Sequence, residues 1–493
     1  MSTALHLAPL VTQGLINGPI DVYEKSMVGG RDIGVGIWST ALDPFQQSSR
    51  DSLQLVYDNM TKHGTFVRDV GYRCPKGQWL AESRLDDDLP GLLFLREVDM
   101  LSALRKAVHL EEQRGTVHLH VGLNYKIDSI YEQSADPWAA PLMIQNIKTG
   151  QQEPTARSYH LIAAADGMNS VIRKTYGGHL SKRHLTGTTA LPGPLDLEHV
   201  NTHSAMRAAW DEMGQAEATS TLDREYTVFR GNARLTTQDT GTSKSFQTWG
   251  EGRSMRFATV PMLYLNDHTG KREERQVWFI TINDDTITSE TDPAKRRDLL
   301  VEAFRDWHDP VCKLVEATPP DEILMERAMA HKHCMGPVID FNQVVKQIRG
   351  AAPPSAGGGP AIQFMGDAFM CIDPILAQGF TIGMEGAARL AQCLESCLQA
   401  PNPPEYPNLG FDPFLLRDEL KLRHERRLGR LIHLLRATEL VQALGQPTSG
   451  TLSGMVSRDI LRPLMRITPG FIKTPIFNAM LKYSLAVPQR RKK

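Results

Sequence analysis

No run of eighteen apolar residues occurs in this 493-residue chain, so no transmembrane helix is predicted. The opening residues, Met1 to Ala8, carry no basic cluster and meet Pro9 early, which argues against a secretory leader. Excess charge of one sign is also missing. The formal net charge is −1, so no global field points to nucleic acid or to acidic partners. Cysteine is sparse: Cys74, Cys312, Cys334, Cys371, Cys393 and Cys397 are scattered through a long chain. That spacing fits reduced thiols in a cytoplasmic protein and not a disulfide framework. Metal-ligand spacing is absent as well. His331-Lys332-His333-Cys334 has no further ligands at suitable distances in sequence and reads as structural. What remains is a globular composition, 41% hydrophobic and 23% charged, in a chain long enough for two or more domains.

Another absence is local. Ile20-Asp21-Val22-Tyr23-Glu24-Lys25 reads as a short strand ending in an acid. In a dinucleotide-binding βαβ unit the second strand ends this way, and its carboxylate accepts from ribose hydroxyls. About 20 residues earlier such a unit has a glycine turn that lays a pyrophosphate on a helix N-terminus. Here that count reaches Met1, and no G-x-G-x-x-G is present near it. Ser2 to Leu10 fits the body of the helix after that turn, with Ala4, Leu5, Leu7 and Ala8 toward a sheet. Gln13-Gly14 and Asn17-Gly18-Pro19 supply a stop and a turn. The expectation is a Rossmann-type unit lacking its first strand, either because the natural protein extends upstream or because the chain is a truncated product. The plainer alternative makes Glu24 a surface acid after an unrelated strand.

Two longer motifs lie downstream. The apolar run Leu161 to Ala165 leads into Asp166-Gly167-Met168-Asn169-Ser170-Val171-Ile172-Arg173, a D-G-x-x-S-x-x-R pattern. Gly167 permits a sharp turn, Asp166 accepts from amides or hydroxyls, Ser170 caps the next turn, and Arg173 pairs with phosphate or an acid. A capped strand-to-helix turn without chemical consequence gives the same pattern. A second run, Ala361 to Met365, leads into Gly366-Asp367-Ala368, then Pro374-x-x-x-Gln378-Gly379-Phe380-Thr381, then a helix-like stretch from Gly383 to Leu394.

Together the two motifs resemble the internal signatures of the class A FAD-dependent monooxygenases, the para-hydroxybenzoate hydroxylase fold. Gly366, Asp367, Ala368, Pro374, Gln378, Gly379, Glu385 and Ala387 match that family's pattern at its spacing. Met370, Ala377, Thr381 and Gly386 depart from the family's histidine, glycine, asparagine and aspartate. The resemblance implies that Asp166, Gly167 and Arg173 serve FAD and NAD(P)H. It implies that Asp367 bonds the ribityl chain, that Pro374 sits by the reactive flavin edge, and that the backbone from Gln378 to Thr381 opens a helix facing the pyrimidine side. Gly34-Val35-Gly36-Ile37-Trp38-Ser39-Thr40-Ala41-Leu42 resembles the segment that runs past the flavin; the alternative is a plain glycine loop before a helix near Asp43-Pro44. Arg96, in Phe94-Leu95-Arg96-Glu97, is the candidate for an FAD-reaching arginine, with Glu97 one register away and a solvated arginine as the alternative.

Between about 190 and 345 the chain shows aromatic strand-like runs at Tyr226–Gly231, Ser245–Gly250, Arg256–Pro261 and Gln276–Thr281. They resemble the antiparallel sheet that roofs the active site in the zeaxanthin epoxidase and urate hydroxylase-like branch, with one face toward substrate. Gly350–Pro360 and Pro401–Pro413 read as linkers and Leu415–Leu444 as a long helix. After Asp459 come eight basic residues and no acid, mixed with apolar groups; a docked helix with a basic tail is expected, and weak membrane-surface contact is the alternative.

The expected fold is α/β. An FAD-binding domain (1–189 and 346–400) surrounds a β-sheet substrate domain (190–345), and a helical region (401–493) follows. The implied activity uses NAD(P)H to reduce FAD, and O2 to hydroxylate or epoxidise a small electron-rich aromatic or alkene. A flavin reductase or dehydrogenase on the same fold, or a non-catalytic relative, remains open.

Overall fold

In the computed structural model, residues 1–25, 30–85, 91–121, 125–130, 136–146, 148–177, 222–250, 254–266, 269–330, 335–349, 358–401, 409–445 and 455–484 are described. His331 to Cys334, most of both linker-like stretches and the basic tail lie outside them. The first elements are α1 (Ser2–Thr12), β1 (Ile20–Glu24), β2 (Gly34–Trp38), α2 (Ser39–Gln46), α3 (Asp51–His63), β3 (Thr65–Val67), β4 (Asp69–Arg73), β5 (Trp79–Arg84), β6 (Leu92–Arg96) and α4 (Glu97–Gln113). Strands β7 (Val117–Val121), β8 (Tyr125–Ile130), β9 (Leu142–Asn146), β10 (Gln152–Pro154) and β11 (Leu161–Ala164) follow. The long strands are β12 (Leu222–Ala233), β13 (Ser245–Trp249), β14 (Arg256–Asn266) and β15 (Lys271–Ile282). After them come α5 (Pro293–Phe304), α6 (Val311–Glu316), β16 (Leu324–Ala330), α7 (Phe341–Arg349), β17 (Ala361–Phe364), α8 (Gly379–Leu398), α9 (Pro413–Gly445), α10 (Arg462–Ile467) and α11 (Gly470–Ser484).

The amino-terminal helix behaves as its pattern predicts. Ala4, Leu5, Leu7 and Ala8 are all buried. Ala4, Leu5 and Ala8 pack with Met100 and Met384, and Leu7 with Ala387 and Leu390, so α1 is wedged between α4 and α8. Strand β1 pairs in parallel with β7, and β11 pairs in parallel with β17. A polar network joins the two pairs. Asp21 accepts from Tyr159 at 2.8 Å and from Arg157 at 2.9 Å, and the Tyr23 and Tyr159 hydroxyls are 2.8 Å apart.

All four aromatic runs are strands of one seven-stranded sheet, ordered β16-β12-β15-β14-β13-β4-β5. Its β4 and β5 come from much earlier in the chain, and β4 joins β13 in parallel. The sheet's two faces are chemically distinct. One presents Phe229, Phe246, Phe257, Trp278 and Ile280 to Leu300, Phe304, Val311 and Leu314 of α5 and α6. The other carries Tyr72, Trp249 and Val260 into a core shared with Phe369, Ile372, Ile375 and Leu376. Strand alternation thus sends one row of side chains to structural packing and the other to the Pro374 segment.

The Gly34–Trp38 segment is a strand and not a glycine loop; it pairs antiparallel with β6. The next helix starts at Ser39, four residues before the Asp43-Pro44 signal. Burial of Ala41, Leu42 and Phe45 on one helical face explains the earlier start, with Pro44 tolerated inside. Residues 413–445 form one long helix, close to the predicted span. No helix among the described residues is long and apolar enough to cross a membrane.

Candidate functional site

Strand β11 ends at Ala164, and the turn after it is held by its own side chains. The Asp166 carboxylate accepts from Ser170 Oγ at 2.5 Å and from the Val171 amide at 2.8 Å. Ser170 Oγ in turn accepts from the Arg173 amide at 2.9 Å. Gly167 stands at φ +78°, a region that a Cβ disfavours, and open space lies beyond it. The capped turn is therefore present, and it places a buried guanidinium. Arg173 donates to the Met168 carbonyl and, at 3.3 Å, to the Asp367 carbonyl. Burial lowers its pKa from the ordinary guanidinium range, against the opposing pull of nearby Asp166 and Asp367. One side chain thus ties the first motif to the second across 194 residues of sequence.

The second motif starts with a single helical turn, Gly366–Phe369, after β17. Asp367 is exposed, yet the surrounding protein raises its pKa above the ordinary carboxylate range, with Arg173 opposing the shift. Asp373 then caps the 374–376 turn by accepting from the Ile375 amide at 3.0 Å, and Pro374 stands exposed at its start. Ala377 takes φ +52°, ψ +40°, the conformation that a glycine holds at ease. Ala377 holds this backbone conformation without being a glycine, at a cost of about 1–2 kcal/mol.

Helix α8 opens at Gly379. No side chain caps its first amides, and a Cβ on Gly379 would meet nothing within 4 Å. Phe380 is exposed, while Gln378 and Thr381 are buried. Thr381 Oγ1 accepts from the Trp38 amide at 3.1 Å, and Trp38 Nε1 donates to the Leu376 carbonyl at 2.9 Å. A Cβ on Gly36 would stand 2.9 Å from Ala377 Cβ, so this glycine lets β2 approach the loop. The structure thereby gathers Gly36, Trp38, Arg173, Gly366, Asp367, Pro374, Gln378, Gly379, Phe380 and Thr381 into one region.

Two candidates stand apart from these contacts. Arg96 donates to Asp99 at 2.6 and 2.9 Å and lies over the Tyr264 ring at 4.5 Å. Glu24 is exposed at the carboxyl end of β1.

Two residues beside Pro374 escaped the sequence reading. Tyr226, fully buried on β12, donates its hydroxyl to Asp373. Burial and the neighbouring Asp373 carboxylate hold the phenol well above its usual range, so it stays a neutral donor. Asp before Pro is a turn-initiation signal that would have found Asp373; Tyr226 has no comparable local signal. Tyr226→Phe is expected to cost about 1–3 kcal/mol by leaving Asp373 short of a donor. Thermal unfolding checks this, and an unchanged midpoint would remove Tyr226 from the account.

The residues present fit FAD. Open space over Gly167, Gly366 and Gly379, the accessible Asp367 carboxylate and the uncapped α8 amides suit a flat, hydroxyl-bearing, anionic group. No family model matches the sequence, and no curated protein is significantly similar to it. Solved structures are similar over nearly the whole chain. Klebsiella pneumoniae HpxO, complexed with FAD and uric acid, is 16% identical, covers 99% of this chain and 95% of its own, and has a TM-score of 0.60. The p-nitrophenol 4-monooxygenase PnpA from Pseudomonas putida is 15% identical, with 99% and 95% covered and a TM-score of 0.56. The 2,6-dihydroxypyridine-3-hydroxylase from Arthrobacter nicotinovorans is 11% identical, with 92% and 93% covered and a TM-score of 0.53. At such identities the likeness speaks for the architecture, and this mixed α/β chain has the fold of the FAD-dependent monooxygenases that its two motifs resemble.

Proposed function

We propose that this protein is an FAD-dependent monooxygenase that takes electrons from NAD(P)H and transfers one atom of O2 to a small electron-rich aromatic or alkene. The observation that carries this reading is the Arg173–Asp367 link, which brings both motifs to the open amino-terminus of α8. When bound, FAD supplies the redox chemistry and the activation of oxygen. The chain's own groups bind and orient. Asp367 would accept from the ribityl hydroxyls, and Glu24 from a ribose. The amides of Gly379, Phe380 and Thr381 would stabilise negative charge on the pyrimidine side.

In this reading residues 1–189 and 346–400 hold FAD, and 190–345 covers the substrate. The sheet face bearing Val260 and Gln247 would lie toward the reactive edge of a flavin held at Pro374; in support, Gln247 donates to the Ile375 carbonyl at 3.2 Å, next to Pro374. That face would exclude water and orient the ring.

The test is to titrate the purified chain with FAD and then follow NADH or NADPH oxidation together with O2 consumption against a panel of phenols, purines and alkenes. The reading expects FAD uptake and oxidation stimulated by one substrate class, with oxygen found in the product. Electron transfer to dyes without O2 use would make the protein a reductase instead. Failure to take up FAD would sink both.

A further inference from the structure

The carboxyl-terminal helices are apolar on two sides, and only one side is covered. The inner side is built into the large sheet. Arg462, fully buried on α10, donates to the Trp249 carbonyl at 3.1 Å and the Gly250 carbonyl at 2.8 Å. On α11, Phe477 meets the edge of Tyr72 at 5.1 Å, Leu481 is buried, and Thr474 donates to the Glu82 carbonyl at 3.3 Å. The two helices are therefore docked on β4, β5 and β13.

The outer side has the opposite exposure and the same chemistry. Of fifteen large apolar side chains exposed among the described residues, eight lie between Met455 and Ile476. The four most exposed are all here: Ile467 at 79%, Phe471 at 78%, Ile476 at 63% and Ile460 at 62%. Leu464 and Ile467 are three residues apart on α10, which puts them on one helical stripe, and Ile460 precedes them in the π-helical turn Val456–Leu461. Past the Thr468-Pro469 break, Phe471 and Ile476 are exposed as well. A stripe of this kind facing water is a contact surface awaiting a partner.

Charge selects the partner. Asp459 is the last acid in the sequence, and Arg462, Arg466, Lys473, Lys482, Arg490, Arg491, Lys492 and Lys493 follow it. Arg466, between Leu464 and Ile467 in sequence, and Lys482 are exposed. A second copy of the chain would bring exposed Arg466 and Lys482 against their own counterparts, with Asp459 as the single acid of the described segment 455–484. A layer with an apolar interior under negative headgroups complements both features at once. Neither helix is long enough to span such a layer, so the contact is in the interface plane.

We propose that residues 455–482 form a docking surface for an anionic lipid bilayer, with Ile460, Leu464, Ile467, Phe471 and Ile476 entering the headgroup–acyl boundary. The proposal stands independently of the flavin reading, since none of these side chains touches the Asp367 region. The full chain would be sedimented with vesicles of phosphatidylcholine alone and of phosphatidylcholine mixed with phosphatidylserine, at low and high salt. It is expected to partition onto the phosphatidylserine vesicles and to release with salt. Ile467→Ser with Phe471→Ser is expected to weaken that partitioning about tenfold or more at an unchanged unfolding midpoint, because both side chains point away from the core. Arg466→Glu is expected to weaken it on phosphatidylserine vesicles only. Absence of vesicle binding overturns the proposal, as does binding that these variants leave intact. Equal binding to uncharged vesicles overturns the choice of an anionic surface. A dimer in sedimentation velocity that the Ser variant dissolves, without vesicle binding, would show that a second copy covers the stripe.

Discussion

Gly379→Val is expected to abolish FAD uptake while leaving the protein folded. The reasoning turns on where the added side chain goes. Nothing in the chain stands within 4 Å of a Cβ at Gly379, and its backbone is not in the left-handed region, so the fold has no objection to valine. Valine is also a better helix former than glycine, which favours the first turn of α8 slightly. The open space is where the flavin's pyrimidine edge would meet the uncapped amides. Filling it denies both the contact and the dipole, and a loss in affinity of about a hundredfold or more corresponds to about 2.7 kcal/mol or more. Flavin absorbance after gel filtration and thermal unfolding of the apoprotein read the two effects separately. Gly36→Val is the control with the opposite outcome: its Cβ would press on Ala377 and Phe94 at 2.9 Å, so it should lower the unfolding midpoint. A Gly379→Val protein that binds FAD like the parent would place the flavin elsewhere.

How much of this was legible in the sequence depends on whether the signal was local. The motif turns were legible because they are self-contained. Asp166, Gly167 and Ser170 hold one another within five residues, and the turn at Pro374 is capped by the residue before it. The aromatic runs were legible as strands because strand-forming side chains repeat along them. Which face of the sheet meets the Pro374 segment was not legible. Alternation gives two rows of side chains, and only the packing of α5 and α6 on one row assigns the other. At Gly34–Trp38 the sequence left a plain glycine loop open as the alternative, for a related reason. The segment's two glycines signal flexibility locally, whereas their purpose is close approach, Gly34 to Val277 and Gly36 to Ala377. Arg96 was singled out by pattern, but its bonds to Asp99 and its place over Tyr264 depend on partners that the pattern does not contain. The Tyr226–Asp373 bond is the extreme case, joining residues 147 apart.

Arg430→Met is expected to destabilise the protein by about 3–5 kcal/mol near neutral pH, and acid is expected to narrow that deficit. Glu385 lies inside α8, only 5% exposed, and Arg430 of α9 grips both its carboxylate oxygens, one at 2.9 Å. Burial alone would raise the Glu385 carboxyl; the bonds and charge of Arg430, with smaller help from a Thr40 bond and the Arg389 charge, override it and leave the group below the ordinary value of 4.5. In the parent this depressed group contributes stability that is present above about pH 4.5 and is lost as pH falls through its folded value. Without Arg430 the sign reverses. Burial dominates, the carboxyl rises above its unfolded value, and protonation on acidification stabilises the folded variant. The gap between parent and variant should therefore be widest at about pH 7 and shrink toward about pH 4.5. Denaturant midpoints across that range measure it. Glu385→Gln with Arg430→Met removes both charges and should recover much of the loss, because the cost lies in the unpaired buried carboxylate and not in the pair's absence. A deficit that stays constant with pH, or a double variant as unstable as Arg430→Met alone, would mean that Arg430 acts through packing on α8. The pair would then have no electrostatic part in fixing the helix whose amino-terminus forms the site.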